Sequence, residues 1–537
     1  MSVKIINRII IIVLLLNLTT LLVFPQNKKL KENAGYGDYH FSHQKYPEAL
    51  DLYLTVFKED SCNAYLNYQI GECYWNITEK WQKSLSFFKS ATKNMSAKQS
   101  DVNYIKGYAP IEAFFRLGEV FQRSNLLDSA LQAFLDYKDL LNPSDENSFE
   151  KVNFKIQSIA IAKGLIAVPV KVIETDLGSI INSRFSDYNP VVSEDESILI
   201  FTSFWESADL IFMSENRNGN WSKPIDITKQ LGSDGTFYTG ALSADGRELY
   251  LIEEDDFNSE IYVSHQSDSG WTLMQKLNNK INSLSHETSV SVTADGNFLY
   301  FSSNRPGGYG GFDIYCSQKK DGDWDKPKNL GAIINTPFNE EAPAITGNGK
   351  NLFFCSEGHR NMGGMDIFYS TQNEDGTWSK PQNIGYPINT TGDNLYYFPL
   401  KNGEVAYLSK DSKNGFGRND IYRVEFPMNE ILQQAISEDK EMDRINLELD
   451  SLKENVVDTT LIFVVQIMAL RKEIETKYFK EFDTVEVFSG DDNLYRYIVG
   501  NFREFKDAEN LLEKVHHYGY KDAFIRTLSS VKVDERR

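Results

Sequence analysis

"SSNRPGGYGGFDIYCSQKKDGDWDKP", Ser302–Pro327, sets four glycines in five positions ahead of Asp-Ile-Tyr, and then a tryptophan ahead of Lys-Pro. Such a stretch is either a ligand-binding loop or one turn of a repeating structure. The rest of the chain decides between them. Asp-Ile-aromatic returns at Asp313-Ile314-Tyr315, Asp366-Ile367-Phe368 and Asp420-Ile421-Tyr422, with weaker copies at Asp209-Leu210-Ile211-Phe212 and Glu260-Ile261-Tyr262. The acidic positions step by 51, 53, 53 and 54 residues, and Trp221, Trp271, Trp324 and Trp378 step in parallel. A fixed period of this length is the mark of a repeat architecture.

Each unit reads as four short strands. Two apolar runs are joined by Asp245-Gly246, Asp295-Gly296, Asn348-Gly349 or Asn402-Gly403, dipeptides suited to a type I′ hairpin in which both central residues take positive φ. The Asp-Ile-aromatic run is the third strand. A second hairpin ("KKDGDW", "NEDGTW") leads to the fourth, "KPKNLG" or "KPQNIG". A single sheet of this kind cannot bury both faces, so the units must stack around an axis. Five copies are present. The fifth stops after "DIYRVEF", one strand short, while "VKVIETDLGSIINSRF" from Val170 looks like "PKNLGAIINTPF" and "PQNIGYPINTTG". The segment before the first unit is therefore predicted to complete the last and close the ring, leaving no open edge at that joint. The glycine-rich stretch becomes the second-to-third strand connection of the third unit, its glycines supplying positive φ. If these connections line one face, Arg305, Arg360 and Arg418 form a basic rim for a partner.

These units resemble the WD40-like propeller repeats of exported bacterial proteins, including the TolB-like group, over roughly Val168–Pro427. The resemblance implies a five-bladed all-β propeller over 168–427 and leaves the chemistry open.

Helical periods precede the sheets. Gly37 with Ala49 and Gly118 with Ala130 share a twelve-residue offset, and Gly71 opens another unit with Ser84 near the alanine position. The stretches "QKYPEALDLYLTVF", "EKWQKSLSFFKSA" and "NLLDSALQAFLDY" each supply an aromatic-rich second helix. This pattern resembles tetratricopeptide repeats over 27–167: three helix pairs, an insertion near Lys98–Gly107 and a capping helix at about Phe149–Leu165. Such arrays present a groove to a protein or peptide; the alternative is a spacer packed on the propeller. His40 and His43 share a helical face, but no third metal ligand accompanies them.

From Pro427 to Val457 the chain is acidic and helical. Met442, Ile445, Leu449, Leu452 and Val456 step 3-4-3-4, a short coiled-coil seam that serves a dimer or packs on the protein's own propeller. The linker is assigned to 428–458. The remainder, 459–531, reads β-α-β-β-α-β, with "RKEIETKYFKEF" as the first helix and Gly519 stopping the second. "VVQIMAL", "YRYIVGNF" and "DAENLLEKVHHYGY" resemble the SPOR domain. That resemblance implies a small α+β domain laying one sheet face on peptidoglycan glycan strands, preferring glycan stripped of peptide. Period two places Val464, Gln466 and Met468 on one face of the first strand, and Leu494 with Arg496 on one face of the third. Gln466 and Arg496 match glycan-contacting positions of the family, whereas Met468 replaces the usual glycine and Leu494 a frequent aromatic. The competing reading is a domain turned to binding a protein.

Composition sets the outer limits. With 537 residues and a formal charge of −20, several domains are expected, and nucleic acid and anionic lipid are excluded as partners. Lys4 and Arg8 precede an apolar stretch, Ile9–Phe24, which reads as a secretory signal over 1–26, with an uncleaved anchor as the alternative. No later segment is long and apolar enough for a span, so no membrane span is expected after signal removal. The four cysteines lack CxxC spacing; Cys62 and Cys73 either bridge two neighbouring helices or remain buried thiols. No cofactor is called for. Three functions follow. The first is a non-enzymatic periplasmic scaffold, associated with the cell wall or outer membrane, that binds peptidoglycan and envelope proteins. Its architecture resembles accessory proteins of the Bacteroidota type IX secretion and gliding machinery, which usually end in an OmpA-like wall-binding domain. The second is a glycan-active enzyme: "EDGTW" is close to a sialidase Asp-box but spaces its Gly and Trp differently, and no Gly-x-Ser-x-Gly elbow occurs. The third is a small-ligand sensor in the propeller channel. The run Glu253–Asp256 reads as a solvated or calcium-tolerant surface.

Overall fold

The computed structural model describes residues 28–426 and 463–528, apart from 206, 255–257, 412–414, 483, 490–493, 503–504 and 522. The expected signal, the linker with its heptad seam, and Asp255–Asp256 lie outside the described residues. Those residues fall into two compact units, one holding the helical repeats and the C-terminal domain, the other the sheets.

The helical part begins with α1 (28–42), α2 (Tyr46–Phe57), α3 (Ala64–Asn76), α4 (Ser84–Ala91), α5 (Glu112–Arg123), α6 (Leu127–Leu140) and α7 (Glu146–Ala167). Its first six helices associate in pairs because a glycine on one meets an aromatic ring on the next. A Cβ on Gly37 would lie 2.5 Å from Tyr53, one on Gly71 2.7 Å from Phe88, and one on Gly118 2.6 Å from Phe134. All three rings are fully buried. Between α4 and α5 the chain makes a detour in which Met95–Ser96 pairs in parallel with Ala109–Pro110.

Five antiparallel sheets follow among the described residues. After β1 (Ile173–Asp176) they are built on β2 (Ser186–Val192), β3 (Ile198–Trp205) and β4 (Ala208–Arg217); β5 (Phe237–Leu242), β6 (Glu248–Glu254) and β7 (Ser259–Ser267); β8 (Glu287–Val292), β9 (Phe298–Ser303) and β10 (Asp313–Lys320); β11 (Glu340–Ile345), β12 (Asn351–Ser356) and β13 (Asp366–Thr371); and β14 (Phe398–Leu400), β15 (Val405–Lys410) and β16 (Asp420–Glu425). Short edge pieces such as Asp323–Trp324 and Lys328–Asn329 supply the fourth strand. Neighbours in the cycle β2, β5, β8, β11, β14 are in contact, and β14 in turn contacts β2. This arrangement resembles a β-propeller.

The fifth sheet takes its outer strand from upstream: β1 pairs with β16, Ile173 opposite Glu425 and Asp176 opposite Tyr422. One hydrogen-bond device recurs at this joint and elsewhere. An asparagine after the outer strand accepts the backbone N–H of the third strand's isoleucine and donates to the same residue's carbonyl. Asn282 grips Ile261 (2.8 and 2.9 Å), Asn335 grips Ile314 (2.8 and 3.1 Å), and Asn389 grips Ile367 (2.9 and 2.8 Å). At the closing joint, Asn182 grips Ile421 (2.8 and 3.1 Å).

The glycine-rich connections have a different cause from the one expected. Within "GGYGG" only Gly307 has positive φ. Close approach governs the rest: a Cβ on Gly310 would lie 2.2 Å from the Phe338 carbonyl, on Gly363 2.6 Å from Thr391, and on Gly417 1.7 Å from the Phe185 carbonyl. Each connection thus lies flush against the lead-in to the next sheet, and the aspartate of Asp-Ile-aromatic folds it back. Asp313 accepts the N–H groups of Tyr309 and Gly310, Asp366 that of Met362, and Asp420 those of Phe416 and Gly417. The Asp-Gly turns also differ from type I′. Gly246, Gly296 and Gly349 take positive φ, but the residues before them do not. The aspartate or asparagine side chain instead accepts the N–H two residues on, as Asp295 does from Asn297 at 3.0 Å.

Glu196 sits in the matching turn of the first sheet at φ 57. Its carboxylate accepts from Arg423 Nε at 2.6 Å, Lys401 Nζ at 2.7 Å and Tyr407 Oη at 2.9 Å, all in the fifth sheet. Burial opposes ionisation, but these three donors outweigh it and pull the carboxyl down to about 2. The folded pKa lies below the unfolded value, so the stabilisation is complete above about 4.5 and is lost as the pH falls from there through about 2. Glu196→Gln is expected to cost roughly 1–3 kcal/mol at pH 7 and much less at pH 3, read as urea midpoints at both pH values. An equal loss at both would show that the charge contributes nothing to the joint.

Candidate binding surfaces

Among its described residues the C-terminal domain has the strands β17 (Phe463–Leu470), β18 (Glu486–Ser489), β19 (Tyr495–Phe502) and β20 (Phe524–Thr527), in the order β18-β19-β17-β20, and the helix α8 (Phe505–His517). The predicted first helix is absent. Residues 471–482 carry only a 3-10 turn at Thr476–Tyr478. The reason is local: Tyr497 Oη accepts from the Ile474 N–H at 2.6 Å and donates to its carbonyl at 3.0 Å, while Phe479 and Phe482 pack on the domain core. A helix would take those backbone groups for its own ladder.

One sheet face packs with α8 through Val465, Ile467, Tyr497, Val499, Leu512 and Val515. The opposite face carries Val464, Gln466, Phe488, Arg496, Ile498 and Arg526. Arg496 stands opposite both Ala469 and Phe488, and Gln466 opposite both Ile498 and Phe524. Val464, Phe488 and Ile498 form a buried apolar floor. Arg526 Nη1 donates to Gln466 Oε1 at 3.1 Å, which fixes the amide's orientation.

Met468 does not share this face. The pairing passes from Gln466 opposite Ile498 directly to Met468 opposite Tyr497. That β-bulge turns both Ile467 and Met468 towards the helix-side core. Ala469, which is exposed, takes the place opposite Arg496. Leu494, half-buried, immediately precedes β19. Arg526 was missed in the sequence, although "FIRTL" alternates with the same period and would have placed it beside Gln466. The face thus sets the Arg496 and Arg526 guanidinium groups around an amide and an apolar floor that are themselves buried, with Leu528 packed on the floor; the guanidinium groups are the donors it can offer to hydroxyls and acetamido carbonyls.

The three arginines of the sheet connections are not equivalent. Arg305 points inward. Its guanidinium donates to Glu287 Oε1 at 2.9 Å and to the Ile281 carbonyl at 2.6 Å, and lies over Phe301 and Tyr315. In the next sheet the matching contact, to the Ile334 carbonyl at 2.8 Å, is made by His359 Nε2. Arg418 is exposed and matches Gly311: each backbone N–H bonds the neighbouring lead-in, at Phe185 and Phe338 respectively. A basic rim of matched positions is therefore not what this geometry provides.

All four cysteines are free; Cys62 is exposed and Cys73 buried. They flank and occupy a single helix, α3, so about 1.5 Å of rise per residue separates them too far for a bridge. Among the described residues no group of three or more His, Cys, Asp or Glu side chains, His40 and His43 included, is placed to hold a metal ion. No described helix is long and apolar enough to cross a membrane.

Residues 464–527 match the family model of the SPOR domain. No curated protein matches the chain. Among solved structures, TolB from Acinetobacter baumannii is similar at 19% identity and a TM-score of 0.32, covering 46% of this chain and 56% of that protein. The chain therefore spans little more than half of that relative. The catalytic domain of a Coprinopsis cinerea GH62 alpha-L-arabinofuranosidase is similar at 11% identity and a TM-score of 0.33, covering 49% of this chain and 99% of that one. The Yersinia enterocolitica type III secretion chaperone SycD, solved with a peptide of the translocator YopD, is similar at 14% identity and a TM-score of 0.21, covering 25% of this chain and 95% of that one.

The bulge separates two adjacent side chains by role. Met468→Asn is expected to lower unfolding stability by about 1–3 kcal/mol, and Ala469→Asn by less than about 0.5 kcal/mol. Chemical denaturation of the two variants checks this. Equal losses would place both side chains on one side of the sheet.

Proposed function

We propose that this chain is a non-enzymatic scaffold of the bacterial periplasm that holds peptidoglycan through its SPOR domain. The single observation that carries the reading is the sheet face on which Gln466, Arg496 and Arg526 surround an apolar floor, within a segment that matches the SPOR family. Family membership implies peptidoglycan binding. Glycan stripped of its peptides is an uncharged polyol chain with apolar ring faces, so a strongly acidic protein meets no electrostatic barrier to it. Arg496 contacts the sugars directly; Gln466, 5% exposed and bonded by Arg526, backs that contact from within the face. Leu494 lies at the rim of the contact.

On this reading the five sheets are the blades of one propeller over 168–427, and the helix pairs over 27–167 are tetratricopeptide-like. Both modules hold envelope protein partners while the wall-binding module fixes their place. A role as an accessory of type IX secretion or gliding machinery is supported by the order of the modules. A sensor or glycan-active enzyme is the competing reading.

Co-sedimentation of the full chain with purified sacculi tests the proposal. The wild type is expected to pellet, Arg496→Ala to bind at least about tenfold more weakly through the loss of one charge-assisted contact, and Gln466→Ala to bind several-fold more weakly through the loss of one neutral hydrogen bond. Arg526→Ala is expected to weaken binding less. A wild type that stays in the supernatant would reject wall binding.

A further inference from the structure

Between the third and fourth sheets a groove of about 860 Å³ opens beside the Asp295-Gly296 turn of the one and the Asn348-Gly349 turn of the other. Its floor is closed: Tyr300 and Trp378 meet edge to face at 6.3 Å and are only 5% and 7% exposed. Its rim is open. Phe298 and Ile333, which both line the groove, are 36% and 49% exposed. Lys320, Lys326 and Lys328 line it too, in a chain with 76 acidic and 56 basic residues.

The repeat does not call for these side chains. Lys328 stands opposite Cys316; the same place in the first, second and fourth sheets holds Ile225 opposite Met213, Gln275 opposite Val263 and Gln382 opposite Tyr369. Phe298 stands opposite Gln318. Its counterpart in the second sheet is Glu248 opposite His265, whose side chains approach to 3.6 Å. In the fourth it is Asn351 opposite Thr371, hydrogen-bonded at 3.0 Å. Those sheets turn the pair upon itself, whereas the third leaves an aromatic ring and an amide exposed to the groove.

The charges of the groove are unevenly matched. The carboxylates lining it are Asp295 and Asp325, and both are committed. Asp325 accepts from Lys320 Nζ at 2.6 Å, with Lys280 Nζ at 3.5 Å. Asp295 turns to its own hairpin, accepting from Thr293 Oγ1 and the Asn297 N–H. Lys326 and Lys328 are exposed and have no carboxylate partner among the described residues. Lys328 overhangs the floor: its charge opposes the burial that pushes the Cys316 thiol up to about 11.

We infer that this groove binds a short acidic peptide segment of a partner protein, with carboxylates on Lys326 and Lys328 and an apolar side chain laid on Phe298 and Ile333. A simple anion would leave the two apolar side chains in water. An acyl chain needs a deep pocket, which the closed floor does not open. The whole chain is acidic, but charges farther than about 8 Å are largely screened at physiological ionic strength, so for a short segment the two lysines decide. The inference rests on the reading that the ring of sheets holds protein partners, and deepens it by naming the place and the chemistry.

The full chain is titrated calorimetrically with the end-blocked peptide Glu-Glu-Leu-Glu-Glu, and in parallel with its Gln-Gln-Leu-Gln-Gln analogue, tripolyphosphate and dodecanoate. The acidic peptide is expected to bind saturably, one per chain, with a Kd of roughly 0.1–1 mM, and to weaken as salt is raised. Lys326→Glu and Lys328→Glu should each weaken it about fivefold or more, and Phe298→Ala about threefold. Lys223→Glu, at the place matching Lys326 in the first sheet but outside the groove, should leave it unchanged. These four side chains are exposed, so the fold survives their replacement. Equal binding of the glutamine peptide, tripolyphosphate or dodecanoate, an equal loss in Lys223→Glu, or unchanged affinity in any of the three groove variants would overturn the inference. Sacculus binding is read separately: its failure would reject wall binding and leave this result standing, while failure here would leave wall binding untouched.

Discussion

The structure of the β unit depends on a buried amide. In the first three sheets the outer strand is split: in the second, Gly270–Trp271 and Gln275–Lys276 pair with β7 over different residues and neither strand piece includes a partner for Ile261. The N–H of Ile261 is inside the protein and would be orphaned. Asn282, almost fully buried, satisfies it together with the carbonyl of the same residue. One side chain thereby takes the place of a missing strand segment. An aspartate could accept but not donate; a leucine could do neither and would strand a buried donor. In the first sheet Thr228 Oγ1 accepts the Ile211 N–H in place of the amide, while the Ile211 carbonyl keeps the backbone N–H of Ile227, as the Ile261 carbonyl keeps that of Leu277 beside Asn282.

Around this grip the other recurrent residues fall into place. The aspartate before the gripped isoleucine folds the glycine-rich connection back on itself, and the glycines let that connection touch the next sheet. A buried carboxylate closes the inter-sheet layer: Glu287 accepts from Ser283 and Ser303, and Glu340 from Thr336 and Ser356. The signature that first marks the repeat is therefore a description of how one sheet is fastened to its neighbour.

Spacing made the repeat, the ring-closing segment and the glycine–aromatic helix pairs legible, because periodic burial writes itself into periodic sequence. Face assignments were less legible. Period two put Met468 beside Gln466, but strict alternation fails where a bulge enters, and a bulge is set by the register of three strands at once. "RKEIETKYFKEF" has helical composition, yet Tyr497, distant in sequence, claims the backbone of Ile474. Arg305 and Arg360 looked matched by motif. The single-residue offset that makes His359 the true counterpart appears only when hydrogen-bond partners are compared. In each case a long-range contact overrode a local pattern.

The closing joint also governs the order of events when the chain is made. Asn182 and Ile421 are 239 residues apart, so the first-made strand of the ring waits for the last-made one. Until residue 425 has emerged, four sheets stand in an open arc with β1 and the flank of β2 uncovered. Long-range pairing of this kind is slow, and an exposed strand edge invites pairing with another chain. A polypeptide of this design therefore needs protection late in its biogenesis, and a premature stop just short of β16 would leave a sticky arc rather than a smaller ring.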